Sequence, residues 1–281
     1  MKIAFVILCH KNPGQLERLL LRLQHPRIDC YIHLDGKSSL SEWETKINLP
    51  RVRFIRDRVK VTWAGYGTIA AAFKGIEAVL ASEEPYASIH LISAQDYPLV
   101  SAGELYDFFA ANAGKEYLDI LTPAELKRVI SKITQYHFED LRIPGKYRLT
   151  KLVNQILPAR KHPLGMEVFG GSLWWSLTRE CAAYCLDFVR RHPALVRFYK
   201  YTWGGDEFIF QTIIMNSPFR EQVVQDNLRY IDWSEGNANP RTFTIEYYDT
   251  LMHSGKLLAR KFDLDKAPLL LDKIDAALDH A

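Results

Sequence analysis

Cysteine is scarce in this sequence, with four residues among 281, and no Cys-x-x-Cys pair occurs. Cys181 and Cys185 lie four positions apart in a predicted helix, which is not a recognised metal-binding spacing. The other two, Cys9 and Cys30, stand alone. We therefore expect reduced thiols in a cytoplasmic protein.

Long apolar runs are also missing. The short run at residues 3–8 is followed by Pro13 and has no signal-peptide cleavage site, so it predicts a buried strand. No later stretch approaches the roughly 20 apolar residues that a membrane-spanning helix needs. We expect a soluble protein with at most peripheral membrane association.

The excess of positive over negative charge is small as well. The net charge of +3 is too small to indicate nucleic-acid binding by itself, and we expect no nucleic-acid partner. The turn after the first predicted strand, HKNPGQ, is not G-x-G-x-x-G, which disfavours an ordinary dinucleotide site. Aromatic residues are plentiful, with 6 Trp and 14 Tyr, and would suit either a sugar-binding cleft or a large core.

Apolar stretches and helical patterns alternate over residues 1–121. Apolar stretches without polar alternation predict strands that are covered on both faces. The resulting β-α-β-α-β-α-β-α-β order predicts an α/β fold with a mostly parallel central sheet and helices on both faces. The predicted strands are residues 3–8, 30–34, 52–55, 88–92 and 117–121, and the predicted helices are residues 15–23, 41–47, 67–80 and 102–111.

The remainder of the chain is less regular. Residues 122–163 are basic, with one predicted helix near residues 124–133, and we expect them to form an insertion-like region over the cleft. We expect one domain over residues 1–281. The further predicted strands are residues 169–177 and 228–233, and the further predicted helices are residues 178–191, 247–254, 267–278 and one that begins at Asp206.

Polar residues follow three predicted strands. His10 comes after the first strand, Asp35 closes the second, and the segment from Ser93 to Pro98 follows the fourth. Ligands of parallel sheets bind outside the carboxyl ends of the strands. Asp35 could therefore accept hydrogen bonds from a ribose or a base, although a turn residue is an equally good interpretation of it alone.

Two consecutive carboxylates, Asp206 and Glu207, stand where a glycine-rich loop predicts the start of a helix. Acidic residues favour helix N-termini, and capping alone would explain them. However, Trp203 precedes them, and a loop can present a carboxylate to a ligand. We predict that Asp206 lies near the N-cap and Glu207 in the first turn.

An ordered set of short motifs, spread over nearly the whole chain, resembles the core-2/I-branching β-1,6-N-acetylglucosaminyltransferases and the related peptide O-xylosyltransferases, in the form that bacteria carry. Each motif is weak alone, and their common order makes the resemblance specific. The motifs are FVILCH at 5–10, IHLD at 32–35, VTWAG at 61–65, SAQDYP at 93–98, GGSLWW at 170–175, DE at 206–207, RYIDW at 229–233 and ARKFD at 259–263.

The resemblance implies a GT-A fold, which is Rossmann-like and binds nucleotide sugars, with a nucleotide-binding half at 1–121 and an acceptor-binding and catalytic half at 122–281. It also implies an inverting transfer of a sugar from a UDP-sugar to a glycan hydroxyl, with a β-linkage. GlcNAc and xylose are the expected sugars, and the acceptor could be lipid-linked. Glu207 matches the general base, which takes the proton of the attacking hydroxyl.

The resemblance also assigns binding residues. Arg241 and Lys261 match cations that hold the diphosphate, with Arg260 beside them, and fixed cations can replace a metal there. Around Asp96 one carboxylate stands where Asp-x-Asp would supply two, so we expect no metal and no cofactor. The remaining expected UDP-sugar contacts are Val6, His10, Asp35, Thr62, Trp63 and Asp96, and the expected acceptor contacts are Trp175, Asp206 and Trp233.

The residues alone leave two other functions open. The chain could be a glycan- or nucleotide-binding protein that keeps the fold without turnover. It could also be a glycoside hydrolase that uses Asp206 and Glu207, but neighbours at a helix start point about 100° apart, and the required separation of about 5–9.5 Å would be fortuitous.

Overall fold

The computed structural model describes residues 1–141 and 143–279. Its centre is a seven-stranded sheet in the order β3-β2-β1-β4-β7-β6-β8, and β5, β10 and β9 form a separate three-stranded sheet. The strands are β1 (Lys2–Cys9), β2 (Ile28–Leu34), β3 (Val52–Phe54), β4 (Tyr86–Ser93), β5 (Asp96–Pro98), β6 (Glu116–Leu118), β7 (Ser176–Thr178), β8 (Val223–Gln225), β9 (Arg229–Ile231) and β10 (Leu258–Arg260).

Twelve α-helices are described, along with three short 3₁₀ helices at Gly205–Glu207, Pro218–Gln222 and Ile245–Tyr247. None of the helices in the described ranges has both the length and the apolar composition needed to cross a membrane. The α-helices are α1 (Pro13–Arg22), α2 (Leu40–Lys46), α3 (Tyr66–Leu80), α4 (Ala102–Ala111), α5 (Pro123–Val129), α6 (Ser131–Thr134), α7 (Lys146–Ile156), α8 (Arg179–Arg191), α9 (Pro193–Tyr199), α10 (Ile209–Met215), α11 (Tyr248–Met252) and α12 (Pro268–Asp279).

The central sheet carries a core on each face. Along β1, Phe5 and Ile7 belong to one buried cluster, which also receives residues of α1, α4 and α12. Ala4 and Val6 belong to the other, which includes residues of α3, α8 and α10. Strand β7 is antiparallel to its neighbours, whereas the other described pairs of this sheet are parallel. The α/β prediction of a mostly parallel sheet with helices on both faces is therefore confirmed.

The C-terminal part of the chain is fastened to the carboxyl edge of this sheet by a buried glutamine. The Gln15 side-chain amide donates to the carbonyls of Ala94 (3.0 Å) and Phe262 (3.1 Å), and its oxygen accepts from the Leu264 N–H (2.9 Å). A buried amide with its hydrogen bonds satisfied specifies one arrangement of the groups around it. Gln15 thus places the residues after β10 beside the ends of β1 and β4.

Two predicted elements differ from the structure. The strand predicted at residues 169–177 is reduced to β7, because Gly171 passes so close to the Asp119 carbonyl that a Cβ there would lie 1.8 Å from its oxygen. The helix predicted to begin at Asp206 begins only at Ile209, after the 3₁₀ helix Gly205–Glu207. Gly204 opens that turn at φ 58°, a backbone conformation that favours glycine.

The basic region at residues 122–163 is more helical than predicted. It contains α5 and α6, which cover most of the predicted helix, and also α7, which the sequence interpretation missed. Residue 142 of this region lies outside the described residues. The region does contact the carboxyl-edge loops, since the Tyr66 N–H donates to the Asp140 carboxylate at 2.9 Å.

Candidate functional site

A cavity of about 390 Å³ opens at the carboxyl ends of β1, β2 and β4. Its walls come from five further parts of the chain: the loop before α3, residues 173–174, the loop around the 3₁₀ helix Gly205–Glu207, residues 238–239 and residues 260–261. The lining residues include Cys9, His10, His33, Asp35, Lys37, Trp63, Ser93, Gln95, Trp174, Trp203, Asp206, Glu207, Asn239, Arg260 and Lys261.

Asp35 fixes the loop that forms one wall. Its Oδ1 accepts from the N–H groups of Lys37 (2.9 Å) and Val61 (3.4 Å), and its Oδ2 lies 3.2 Å from the Lys37 ammonium. His33 supports the same loop by accepting from the Val59 N–H at 3.1 Å. Asp35 therefore lines the cavity, as predicted, and also determines where the loop that carries Trp63 lies.

Cations line the opposite side of the cavity. The Arg260 guanidinium lies 4.3 Å from the centre of the Trp174 ring, and Lys261 reaches Asn239 at 3.4 Å. Desolvation and then the neighbouring Arg260 charge lower the pKa of Lys261. Because His10 is likewise partly desolvated and lies near Lys11, its pKa is lowered too, which leaves a neutral imidazole at pH 7. Arg260 and Lys261 make this side of the cavity attractive to an anion.

Arg260 is held in place from behind by Asp96. Asp96 is fully buried; its Oδ1 lies 3.4 Å from Arg260 Nη1, and its Oδ2 accepts from the Ser93 N–H at 3.0 Å and from Arg229 Nε at 3.4 Å. Arg229 also donates to the Leu91 carbonyl of β4 at 2.7 Å. Asp96 therefore does not line the cavity, contrary to the prediction of a direct UDP-sugar contact. It positions Arg260 instead.

Glu207 projects into the cavity next to Lys132 of α6. The Lys132 ammonium donates to Glu207 Oε2 at 2.6 Å and stacks over the Trp203 ring at 4.5 Å. Trp203 in turn packs edge-on against Trp63 at 5.2 Å. The Glu207 backbone is fixed as well, because its carbonyl accepts from the Gly171 N–H at 2.8 Å. Within the described residues no hydrogen bond engages Oε1, so this oxygen can accept a proton from a ligand.

Asp206 has a different environment from its neighbour. Its Oδ1 is inaccessible to solvent and has no partner in the described chain, and the side chain makes no helix cap. Burial, and then the Glu207 charge, raise the pKa of Asp206 to about 7. The predicted capping role is therefore wrong, since the turn starts at Gly204 and Asp206 faces the cavity.

Two predicted contacts are core residues. Trp175 is fully buried against Phe210, with 5.0 Å between ring centres, so it cannot reach an acceptor. Its neighbour Trp174 lines the cavity instead. The Val6 side chain is fully buried where α3 crosses β1, and a Cβ on Gly75 would lie 2.1 Å from it. Val6 therefore does not line the cavity.

Three other predicted residues lie outside the cavity lining. Arg241 forms an ion pair with Glu235, with 2.9 Å between Arg241 Nε and Glu235 Oε1, and it also donates to the Tyr247 hydroxyl at 2.6 Å. Thr62 borders a neighbouring groove. Trp233 is 53% exposed outside the lining. Thus seven of the predicted residues converge on the cavity: His10, Asp35, Trp63, Asp206, Glu207, Arg260 and Lys261.

Lys132 and Trp174 were missed by the sequence interpretation. Lys132 lies 75 positions from Glu207 in a basic region, where nothing local distinguishes it from surface lysines. Trp174 and Trp175 are adjacent tryptophans, and only the course of the backbone decides which one faces the cavity. Among residues 1–141 and 143–279, no group of three or more His, Cys, Asp or Glu could hold a metal ion.

The cavity lies at the carboxyl edge of a covered, mostly parallel sheet, which is where α/β proteins of this architecture bind their ligands. The family model of the Core-2/I-branching enzymes matches residues 3–252. The chain therefore belongs to this family of glycosyltransferases, which confirms the resemblance seen in the motifs. Family membership and sheet architecture together confirm the predicted GT-A fold.

The individual relatives are only distantly similar to this chain in sequence. The chain is 28% identical over 249 residues to xylosyltransferase 2 of Canis lupus familiaris, covering 83% of this chain and 27% of that protein. It is 28% identical over 298 residues to the β-glucuronosyltransferase GlcAT14B of Arabidopsis thaliana, covering 99% of this chain and 66% of the relative. The chain thus spans about a quarter of the length of the xylosyltransferase that it matches.

Solved structures show a weak overall likeness. The apo form of mouse xyloside xylosyltransferase 1 aligns over 92% of this chain and 97% of its own, with a TM-score of 0.41 and 12% sequence identity.

Proposed function

We propose that this chain transfers a sugar from a UDP-sugar to a hydroxyl of a glycan acceptor, with inversion at the anomeric carbon and without a metal ion. The observation that carries this proposal is the placement of Glu207 and the Arg260–Lys261 pair on the same cavity. A transferase of this kind needs a base for the acceptor hydroxyl and fixed positive charge for the leaving diphosphate.

Glu207 is the proposed general base. Lys132 occupies Oε2 and fixes the carboxylate orientation, while Oε1 is available to an acceptor hydroxyl. As that hydroxyl oxygen attacks the anomeric carbon, its proton passes to Glu207 and the bond from the anomeric carbon to the diphosphate oxygen breaks. Attack from the face opposite the diphosphate gives the β-linked product.

Arg260 and Lys261 are the proposed diphosphate ligands. Asp96 and the Trp174 ring hold the Arg260 guanidinium at one angle, so little reorganisation is needed when charge develops on the leaving phosphate. The wall at Asp35 and Trp63 would then take the uridine, on the nearby ends of β1 and β2. In this arrangement Arg241 does not contribute, because Glu235 and Tyr247 occupy it.

The donor sugar is proposed to be GlcNAc or xylose. Xylose agrees with the names of the xylosyltransferase relatives, and the β-glucuronosyltransferase relatives add glucuronic acid as a third candidate. Asp206 is proposed to contact a sugar hydroxyl, because it lines the same cavity.

Transfer by a Glu207→Gln variant tests the base. We expect kcat to fall by about 10²–10⁴-fold, as for loss of a general base, while UDP-sugar binding is kept. Glu221→Gln, at an exposed glutamate, is the matched control and should keep full activity. Near-normal transfer by the Glu207 variant would show that Glu207 is not the base.

Two further outcomes concern the wild type. Loss of its transfer in EDTA would refute the metal-free mechanism, and UDP-sugar binding without transfer to any acceptor would favour a binding protein.

A further inference from the structure

Helix α7 shows its apolar side to the outside of the molecule. Leu149, Leu152, Val153 and Ile156 are spaced i, i+3, i+4 and i+7, which places them on one stripe of a helix. Such a stripe normally faces a core, yet none of the residues of α7 is buried. Leu152 is 52% exposed and Ile156 is 70% exposed. Leu149 and Val153 are half-buried, so Leu152 and Ile156 are the part of the stripe that is available to something outside this chain.

Two polar residues, Asn154 and Lys146, hold α7 to the protein. Asn154 accepts from the Tyr136 N–H at 2.7 Å and donates to the Tyr136 carbonyl at 2.8 Å, and Lys146 pairs with Glu139 at 3.0 Å. A helix that is anchored through an asparagine and a lysine cannot turn its leucines inward without breaking these bonds. The contacts that hold α7 to the protein thus also keep the exposed part of the stripe facing outward.

The surroundings of α7 extend the apolar surface. Tyr147, at the start of the helix, is 74% exposed. Further exposed apolar side chains precede and follow the helix, and they are Leu141, Ile143, Leu157 and Leu164. Leu141, Ile143 and Tyr147 line one groove, and exposed apolar groups that cluster in this way indicate an interaction surface.

The charge of the same segment identifies the partner. Residues 141–166 contain six Lys or Arg and no Asp or Glu. Glu139 and Asp140, just before this segment, are taken up by Lys146 and by the Tyr66 N–H, whereas Arg148 and Lys151 are exposed on α7. A helix with exposed leucine and isoleucine together with exposed basic residues has the composition of helices that lie in an anionic membrane interface.

The surface lies beside the mouth of the cavity. Lys146 and Tyr147 share a groove with Thr62, whose neighbour Trp63 lines the cavity. The Tyr66 N–H bond to Asp140 ties this segment to the same loop. A bilayer that contacted α7 would therefore lie close to the entrance of the candidate site.

We propose that α7 and its apolar flanks dock this protein on a bilayer that contains anionic phospholipid. Leu152 and Ile156 insert among the acyl chains near the headgroups, and Arg148 and Lys151 contact lipid phosphates. Docking presents the cavity to acceptors that are held at a membrane surface. This docking does not depend on the proposed sugar transfer, because binding to vesicles is measured without any turnover.

Co-sedimentation with vesicles of phosphatidylcholine, with and without phosphatidylglycerol, tests the proposal on the full chain. Wild type should bind only the vesicles with phosphatidylglycerol. Leu152→Gln with Ile156→Gln should weaken binding by about tenfold or more, because the inserted carbons are lost. Arg148→Gln and Lys151→Gln should each weaken it by about fivefold. Leu21→Gln with Leu269→Gln is the matched control, at leucines that are 51% and 68% exposed, and should bind like wild type.

A second measurement reports insertion directly. A fluorophore that shifts to the blue in apolar surroundings is attached to an Ile156→Cys variant, and the same label on Leu269→Cys is the control; the four native cysteines are buried. Only the label at position 156 should shift on addition of anionic vesicles. Absence of wild-type binding, equal binding to both vesicle types, or unchanged binding of the Leu152/Ile156 variant would overturn the proposal. A wild-type dimer that this variant dissociates would assign the surface to a second copy and would also overturn it.

Discussion

Asp206 and Glu207 are adjacent in sequence but differ in what surrounds them. Lys132 pairs with Glu207, whereas Oδ1 of Asp206 is buried and has no hydrogen-bond partner among the described residues. A buried carboxyl group beside another negative charge is more stable when protonated. This accounts for the rise in the pKa of Asp206 to about 7, and it makes Asp206 a hydrogen-bond donor at and below that pH.

The raised pKa of Asp206 predicts a pH-dependent stability. Protonated Asp206 stabilises the fold fully below its ordinary pKa of 3.8, and this stabilisation is lost as the pH rises through about 7. An Asp206→Asn variant does not titrate there. Its free energy of unfolding relative to wild type should therefore rise between pH 4 and pH 8, by at most about 4 kcal/mol.

Thermal melting of both proteins across that pH range measures the difference. Asp107→Asn, at an exposed aspartate, is the control and should run parallel to wild type. Parallel curves for Asp206→Asn as well would show that Asp206 is not held in its protonated form.

At this scale the sequence predicted residues through their local context and missed those that depend on the backbone path. Asp35 and Glu207 follow a strand end and a glycine loop, which are visible in the sequence, and both line the cavity. Lys132 is brought to Glu207 only by the way residues 122–163 fold back. The choice between Trp174 and Trp175 depends on the irregular segment before β7, which was predicted to be a strand.

At the scale of elements, the three-stranded sheet carries the cationic side of the cavity. Strand β10 pairs with β5 and β9, and the buried Asp96 on β5 lies between Arg229 of β9 and Arg260 of β10. Burial lowers the pKa of Arg229 to about 10, and Asp96 acts in the opposite direction. The ion pairs therefore fix the register of the small sheet together with the direction of Arg260.

Removing the Asp96 charge should destabilise the whole fold. In an Asp96→Asn variant, Arg229 remains fully buried without its counterion, and breaking a buried pair in this way costs about 3–5 kcal/mol. Equilibrium unfolding in urea measures the change. Asp57→Asn breaks an exposed pair with Lys74 (2.6 Å) and should cost less than about 1 kcal/mol. Similar losses for the two variants would show that Asp96 is not a structural counterion.

The elements that sequence patterns predicted well are the long ones. Strands β1, β2 and β4 are seven or eight residues long, and each is mainly apolar and buried along most of its length. Strands β8, β9 and β10 have three residues each, so their pairing is decided by distant partners such as the Asp96 network and not by local pattern. Helix α7 was missed although its apolar residues recur at helical spacing, because the basic, proline-containing stretch around it was interpreted as irregular.

At the scale of the whole molecule, the cavity is assembled by parts that are remote in sequence. The sheet edge supplies Asp35, the chain after β9 supplies Lys261, and the loop before α10 supplies Glu207. Because Gln15 and Asp96 fasten the C-terminal part to that edge, the proposed donor side should be largely formed before a ligand arrives. Ligand binding should then stabilise the native state with little ordering cost.

Thermal shift measurements with a donor panel test this arrangement. A ligand at 100 times its Kd adds about 2.7 kcal/mol of stability, which corresponds to a rise in Tm of several degrees for a chain of this size. UDP-GlcNAc, UDP-xylose, UDP-glucuronic acid, UDP-galactose and UDP-glucose are compared with UDP alone. UDP should raise the Tm, and the proper donor should raise it further.

The Lys261→Gln variant identifies where the diphosphate lies. It should lose most of the UDP-induced rise, because the ammonium that faces the cavity is gone, whereas Lys266→Gln, at an exposed lysine five positions on, should keep it. Glu207→Gln should also keep the rise with UDP, since the proposed base acts on the acceptor. A full UDP shift in the Lys261 variant would place the diphosphate away from the ARKFD segment, and the absence of any shift with UDP in wild type would refute the nucleotide site itself.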